Sequence, residues 1–183
     1  MGSVTGPGIG GAASSPILDF TPTLLDGTGQ AVDLNGGRTL GRYQMLSPNL
    51  CWWESWIFIN AGGTPGNPGA FLLMIPKGVK QDEPVGGAPV LRTVGTVIAV
   101  RGTPQSNTGK CTGAVTGGDL STAFGAPPGT IPANIVTFDN VTGVIEEEAK
   151  SFGWTGSEGA GFPFDWCNTN TFLKFTGVFE TND

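Results

Sequence analysis

Hydrophobic residues fill both alternating sets of positions in the stretch LCWWESWIFIN, residues 50–60. Neighbouring side chains of a β-strand point to opposite faces of its sheet. The two faces would carry the following residues: Cys51, Trp53, Ile57 and Ile59 on one, and Leu50, Trp52, Trp56 and Phe58 on the other. Because an antiparallel sheet commonly leaves one face in water, a strand that is apolar on both faces needs a second covering surface.

The other apolar runs are short, and turn-forming residues separate them. Segments such as DGTG, GGTPGNPG and GAPPGT are rich in residues that favour turns. The predicted strands are residues 17–23, 38–45, 50–60, 70–76, 90–101, 135–139, 141–145 and 171–180. The sole helix candidate is EEEAKSF, residues 146–152. This pattern predicts an all-β fold, an antiparallel β-sandwich of jelly-roll type.

The N-terminal residues differ in composition from the rest of the chain. MGSVTGPGIGGAASSP is dominated by Gly, Ala, Ser and Pro and offers too few apolar side chains to fold alone. It lacks the positive and apolar regions of a signal peptide, and no apolar run approaches the length of a membrane span. We therefore predict an extended arm over residues 1–16 and a single β-sandwich domain over residues 17–183.

Composition excludes several classes of partner. The chain of 183 residues has no His, 9 Lys and Arg against 15 Asp and Glu, and a net charge of -6. Nucleic-acid binding requires a basic surface that neutralises phosphates, so no nucleic-acid partner is expected. No basic amphipathic stretch predicts a membrane partner either.

The three cysteines, Cys51, Cys111 and Cys167, occur singly. We interpret them as thiols that behave as small hydrophobic residues in a reducing compartment. Because Cys51 and Cys167 both lie in Trp-rich stretches, a disulfide between them is the alternative.

The motifs for catalysis and nucleotide binding are incomplete. Without His, the Ser-His-Asp and Cys-His arrangements and histidine metal sites are excluded. The stretch RGTPQSNTGKC, residues 101–111, resembles a P-loop, but Pro104 replaces its first glycine and Cys111 replaces the Ser or Thr that binds magnesium. We therefore expect no cofactor and no metal site.

Glycoside hydrolysis needs two carboxyl groups at a defined separation. The candidates are Asp82 with Glu83, the acidic run 146–148, and Asp165. No pattern in the sequence fixes two of these carboxyl groups at the separation that catalysis requires. We therefore expect no enzymatic activity.

The aromatic residues of strand 50–60 indicate a binding surface. If Trp52, Trp56 and Phe58 all faced water, they would form a patch of about 450–750 Å², which is more than a monomer usually exposes. We favour a subunit interface with cyclic symmetry as its cover. The alternatives are a covering loop, a closed barrel that encloses both faces, and an exposed surface on which sugars or bases stack.

An ordered set of motifs resembles a known family. GRYQ, the aromatic strand, the turn GGTPGNPG and the strand AFLLMIP follow one another after the opening FTPTLLDGTG and LNGGRTLGRYQ. The close, FPFDWCNTNTFLKFTGVFE, contains a turn with Pro and Trp that leads into the last strand. Over residues 20–76 and 162–180, the set resembles a small β-domain of virion proteins from bacteriophages that infect actinobacteria.

The resemblance implies a structural and adhesive module without catalytic residues, which occurs at the ends of minor tail proteins and as separate proteins that decorate heads. We therefore expect a non-enzymatic capsid decoration protein in the virion, a homotrimer or other small ring that contacts the major capsid protein or another virion protein. The alternative is a minor tail or receptor-binding protein whose β-domain contacts host cell-surface glycan. The expected interface residues are Trp52, Trp56, Phe58 and, in the arm, Pro7 and Ile9.

The absence of catalytic chemistry is a testable prediction. Purified protein incubated with actinobacterial cell wall should release no more soluble sugar than buffer does, because no pair of acid and base groups is predicted. Sugar release that is lost when Glu146, Glu147 or Asp165 is replaced would contradict this expectation.

Overall fold

The computed structural model describes residues 15–26, 29–62, 72–83, 85–86, 88, 90–102, 109–121, 127, 129–140 and 170–182. These residues form nine strands and no helix, and all strand pairs are antiparallel. The strands are β1 (Leu18–Phe20), β2 (Thr23–Leu25), β3 (Arg38–Ser47), β4 (Leu50–Ile59), β5 (Leu72–Met74), β6 (Leu91–Gly102), β7 (Gly109–Gly118), β8 (Ile135–Asn140) and β9 (Asn170–Glu180). The predicted all-β class is thus confirmed.

The nine strands form one curled sheet, a half-barrel, in the order β1-β3-β4-β9-β6-β7-β8-β5-β2. β1 and β2 lie at opposite edges, yet only Thr21 and Pro22 separate them in the sequence. The three Cα steps from Phe20 to Thr23 span at most about 11 Å. The two edges therefore come close together at this point, and the sheet has to curl.

This link also corrects the predicted strand 17–23, which is two strands. β1 pairs with β3 and β2 pairs with β5, so the chain changes neighbours between them. Pro22 lies in the link and has no N–H to donate to a strand ladder. A break at this residue is the physical reason for the difference.

The inner faces of both halves of the curled sheet share one hydrophobic core. Leu24 of β2 and Leu73 of β5 belong to the same buried cluster as Trp53 of β4 and Phe175 of β9. Side chains from the two edges thus meet those from the middle of the sheet in a single core.

Trp53 occupies the centre of this core. Its ring is fully buried and stacks on Phe175, with centroids 6.3 Å apart and planes at 21°. Phe175 in turn meets Phe138 of β8 edge to face, with centroids 5.1 Å apart. The indole Nε1 of Trp53 donates a hydrogen bond of 3.3 Å to the carbonyl oxygen of Val94. This oxygen lies where the register between β6 and β7 shifts.

Gly177 of β9 makes this arrangement sterically feasible. It is the register partner of Trp53 on the adjacent strand. A Cβ atom at this position would lie 2.0 Å from the carbonyl oxygen of Val94 and 2.9 Å from the indole Nε1. Only glycine leaves room for the indole and the β6 backbone to approach each other here.

One strand was not predicted. β7 (Gly109–Gly118) lies in the sequence GKCTGAVTGG, whose four glycines hide the alternation of a strand. Long pairing with β6 and shorter pairing with β8 stabilise it, and its Val115 is buried in the core. The predicted strand 141–145 and helix 146–152 lie outside the described residues, as do residues 1–14 of the predicted arm.

The steric role of Gly177 predicts a large effect of a small change. Gly177→Ala should lower the free energy of unfolding by about 2–3 kcal/mol, because the new methyl group forces β6 and β9 apart. Urea unfolding followed by tryptophan fluorescence measures this change.

Gly78→Ala is the matched control, since its Cβ would meet the Ala133 Cβ at 3.3 Å and the Ala133 carbonyl carbon at 3.9 Å, with no closer contact. The control should change the free energy of unfolding by less than about 1 kcal/mol. Equal effects of the two substitutions would contradict the proposed packing.

Candidate interaction surface

Strand β4 presents two different faces, as its alternation predicts. Cys51, Trp53 and Ile57 are buried in the core. Trp52 and Trp56 on the opposite face are half-buried, and Phe58 is 37% exposed. The predicted interface residues therefore share the outer side of the sheet, and their part in an interface stays a prediction.

Strand register collects further residues around this aromatic row. Leu40 of β3 and Lys174 of β9 are the register partners of Trp56, while Arg38 and Phe172 are those of Phe58. We call the whole set the outer aromatic face; it comprises Arg38, Leu40, Arg42, Trp52, Glu54, Trp56, Phe58, Phe172 and Lys174. Leu40 is 53% exposed, so much of this face's apolar surface is open among the described residues.

Trp56 lies between two cations. The guanidinium carbon of Arg42 is 5.2 Å from the ring centroid, and Nζ of Lys174 is 5.8 Å from it. Each cation–π contact at an exposed site contributes about 0.5–1 kcal/mol. The two contacts favour one orientation of the ring, so a partner that binds it has less side-chain entropy to remove.

An ion pair neutralises the charge in the middle of the face. The Arg42 guanidinium donates to Oε1 of Glu54, its register partner on β4. Glu54 is largely buried, and burying a carboxylate is costly unless it is paired. The pair therefore allows Glu54 to lie largely buried within the outer aromatic face.

A second ionic network stands at one end of the outer aromatic face. Arg92 donates from Nε and Nη2 to the two Asp82 carboxylate oxygens, at 2.6 Å each, and from Nη1 to Glu180 Oε2 at 3.1 Å. Lys80 Nζ donates to the same Glu180 oxygen at 3.2 Å. Lys80, and to a smaller extent Arg92, lower the pKa of the Glu180 carboxyl.

The half of the sheet that contains β5 and β8 has its outer face covered by another segment of the same chain. Leu72 and Ile135, which point away from the main core, form a small buried cluster with Leu120. Asp119 stabilises the covering segment, because its carboxylate accepts hydrogen bonds from the backbone N–H groups of Ser121 and Gly129. The Ser121 hydroxyl, followed by these backbone bonds, lowers the pKa of Asp119.

Ser15 marks where the predicted arm meets the sheet. Its hydroxyl donates to the backbone oxygen of Met45, and Gln44 Nε2 donates to the backbone oxygen of Ser15 at 2.6 Å. Ser15 therefore lies beside β3, near its turn into β4. Pro7 and Ile9 lie outside the described residues, so their predicted contacts stay predictions.

The carboxylate and cysteine candidates either have a structural role or lie outside the described residues. Asp82 accepts a hydrogen bond from Arg92, so this carboxylate has a structural role. Cys51 is buried on the inner face, whereas Cys167 and the acidic candidates 146–148 and 165 lie outside the described residues. The alternatives for the cysteines thus stay open.

Sequence reasoning missed the charged residues around Trp56. Arg42, Glu54 and Lys174 come from three strands, and only the register of those strands brings them together. For Phe172, the alternation along β9 gives a weak indication of its place on the outer side, because its neighbours in the strand are buried.

No family model, curated protein or solved structure matches this chain. In the part of the chain that the structure describes, no helix is long and apolar enough to cross a membrane. Within the same residues, Cys, Asp and Glu side chains form no group of three or more that could hold a metal ion. The outer aromatic face is the best-defined candidate site.

The ionic network predicts a pH-dependent contribution to stability. A carboxyl group whose pKa is lower in the folded state stabilises the fold above its unfolded pKa, and the contribution disappears as the pH falls through the folded value. Wild type should therefore be more stable than Glu180→Gln at pH 7, and the difference should shrink as the pH falls below about 4.5. Thermal unfolding between pH 3 and 7 measures it.

Glu83→Gln is the control, because Glu83 is exposed and lies beside the network. It should show no such pH-dependent difference. A difference between wild type and Glu180→Gln that grows on acidification would contradict the assignment.

Proposed function

We propose that this chain is a non-enzymatic structural protein of a bacteriophage virion, a capsid decoration protein that binds through its outer aromatic face. The observation that carries the proposal is the row of Trp52, Trp56 and Phe58 on the outer side of the sheet. Trp, Phe and Arg are enriched in protein–protein interfaces, and Trp and Arg in their energetic hot spots. The resemblance of the ordered motifs to virion β-domains supports the same function.

The charged residues of the described surface favour binding over catalysis. Glu54, Asp82 and Glu180 each accept hydrogen bonds from Arg or Lys side chains and so hold the sheet and its edges together. A general acid needs a raised pKa, whereas the pKa of Glu180 is lowered. These carboxylates act as structural groups.

The two halves of the curled sheet serve as the two layers of a jelly-roll-like sandwich. The shared core of Leu24, Leu73, Trp53 and Phe175 supports this interpretation. In this proposal the domain comprises residues 17–183 and the arm comprises residues 1–16, of which Ser15 lies beside β3. From there the arm, with Pro7 and Ile9, contacts the major capsid protein or another virion protein.

A second candidate function is a tail or receptor-binding protein that contacts host glycan. The residues around Trp56 favour it, since Arg42 and Lys174 beside this half-buried ring can donate hydrogen bonds to sugar hydroxyl groups. The same residues would then contact sugar rings and hydroxyl groups.

Binding to phage particles tests the proposal. The full chain should sediment with phage heads that lack this protein. Chain 16–183 should bind at least about tenfold more weakly, because the arm supplies a second contact to the same particle. Trp56→Ala should also weaken binding, whereas Val85→Ala, an exposed residue outside the face, should not.

Two outcomes would contradict the decoration function. Binding to host cell wall but not to heads, lost in Trp56→Ala, would favour the receptor-binding function. Binding to neither would overturn both.

A further inference from the structure

The outer aromatic face is positively charged, although the chain as a whole is acidic. Its cations are Arg38, Arg42 and Lys174 and its carboxylate is Glu54, so the face carries three positive charges against one negative charge. The whole chain carries -6. Since Arg42 pairs with Glu54, the excess charge of the face comes from Arg38 and Lys174.

Arg38 and Lys174 are open to the carboxylates of a partner. Neither forms an ion pair with another described residue, and Arg38 is exposed while Lys174 is half-buried. Asp19 of β1 borders the face as the register partner of Arg42. The strand spacing and rise place its Cα about 14 Å or more from that of either cation, so it neutralises neither.

Strand register sets the spacing of these two cations. Arg38 of β3 is the register partner of Phe58, and Lys174 of β9 is that of Trp56. The cations therefore lie two strands apart and two residues apart along the strands, with Cα atoms about 12 Å from each other. Because β4 lies between β3 and β9, the face presents aromatic rings between two positive charges.

An extended peptide matches this spacing. Its side chains at positions i, i+2 and i+4 point to one side, and the outer two positions lie about 13 Å apart. Carboxylates at the outer positions would reach the two cations, and an apolar side chain between them would pack on the rings. The complementary pattern is acid-x-apolar-x-acid.

The size of the face also favours a peptide segment over a folded domain. From Trp52 to Phe58 it is about 20 Å long, and its three strands are about 14 Å wide, which gives about 300 Å² of sheet. Even if the relief of the side chains doubles the accessible area, the face stays below the roughly 800 Å² that each partner buries in a standard complex.

We propose that the outer aromatic face binds an acidic peptide segment of a protein partner. The segment carries an apolar side chain between two carboxylates, which pair with Arg38 and Lys174 while the apolar group packs on Trp56 and Phe58. The inference deepens the proposed function and rests on it: in the virion, the segment belongs to the protein that this chain decorates.

The exposed apolar groups of the face favour a peptide over an acidic glycan. Leu40 is 53% exposed, more than Phe58 at 37%, and Trp52 and Trp56 are half-buried. A branched aliphatic side chain is no flat platform for a sugar ring, but it packs well against the apolar side chains of a peptide.

Peptides of defined sequence test the proposal. The probe is a fluorescently labelled peptide of four Glu-Ser-Phe-Ser repeats that ends in Glu, and its binding is followed by anisotropy. Wild type should bind it with a Kd of about 100 µM or lower. The same peptide with Lys for every Glu, or with Ser for every Phe, should bind at least about tenfold more weakly. A Kd above about 1 mM for the acidic aromatic peptide would overturn the inference.

Variants of the two cations test where the peptide binds. Lys174→Gln and Arg38→Gln should each weaken binding at least about fivefold at low salt, whereas Lys174→Arg should bind within about twofold of wild type. Val85→Glu changes the net charge by the same amount outside the face and should bind as wild type does. Unfolding curves identify any variant that fails to fold. Folded Gln variants that bind like wild type would overturn the inference.

Two further measurements test other occupants. Tighter binding of polygalacturonate than of the acidic aromatic peptide would assign the face to an acidic glycan. If light scattering shows that wild type self-associates and Trp56→Glu does not, and the self-associated wild type no longer binds the peptide, the occupant is a second copy of this chain. Either result would overturn the inference.

Binding to phage heads separates this inference from the proposed function. If wild type binds heads and the two Gln variants bind them equally well, the decoration function stands and the acidic segment is excluded. If wild type binds the acidic aromatic peptide through Arg38 and Lys174 but binds no head, the recognition of an acidic segment stands and the decoration function is contradicted.

Discussion

The rest of the structure depends on the contact of the Trp53 indole with Gly177 and the Val94 carbonyl. It joins β4, β9 and β6 at the middle of the sheet and sets the distance between their backbones. Because side chains alternate along a strand, burying Trp53 commits Trp52 and Trp56 to the outer side. The core therefore determines which aromatic residues are available for binding.

The curl of the sheet makes its two outer surfaces unequal. The short link at Thr21 and Pro22 draws the edges together, so all inner side chains share one core. The outer face over β5 and β8 is covered by a segment that Asp119 stabilises through hydrogen bonds. On the other half of the sheet, Leu40 and Phe58 are exposed. This asymmetry supports a single binding face.

Local pattern predicted much of the fold but little of the site's chemistry. The two apolar faces of β4 were predicted because side chains alternate between the faces of a strand from one residue to the next. The bounds of β3, β6 and β9 were also predicted almost as observed. β7 was missed because glycines carry no side-chain pattern, and the break at Pro22 depends on pairing partners far along the chain. The contact of Arg42 with Trp56 likewise arises only from strand register.

We expect the outer aromatic face to become covered when the protein binds its partner. Hydroxyl-radical footprinting with mass spectrometry measures the solvent access of individual tryptophans in the dilute protein and in the protein mixed with phage heads. Oxidation of Trp52 and Trp56 should fall upon binding, while Trp53, which is fully buried, should stay unreactive in both states. Equal oxidation of Trp56 in the two states would contradict this expectation.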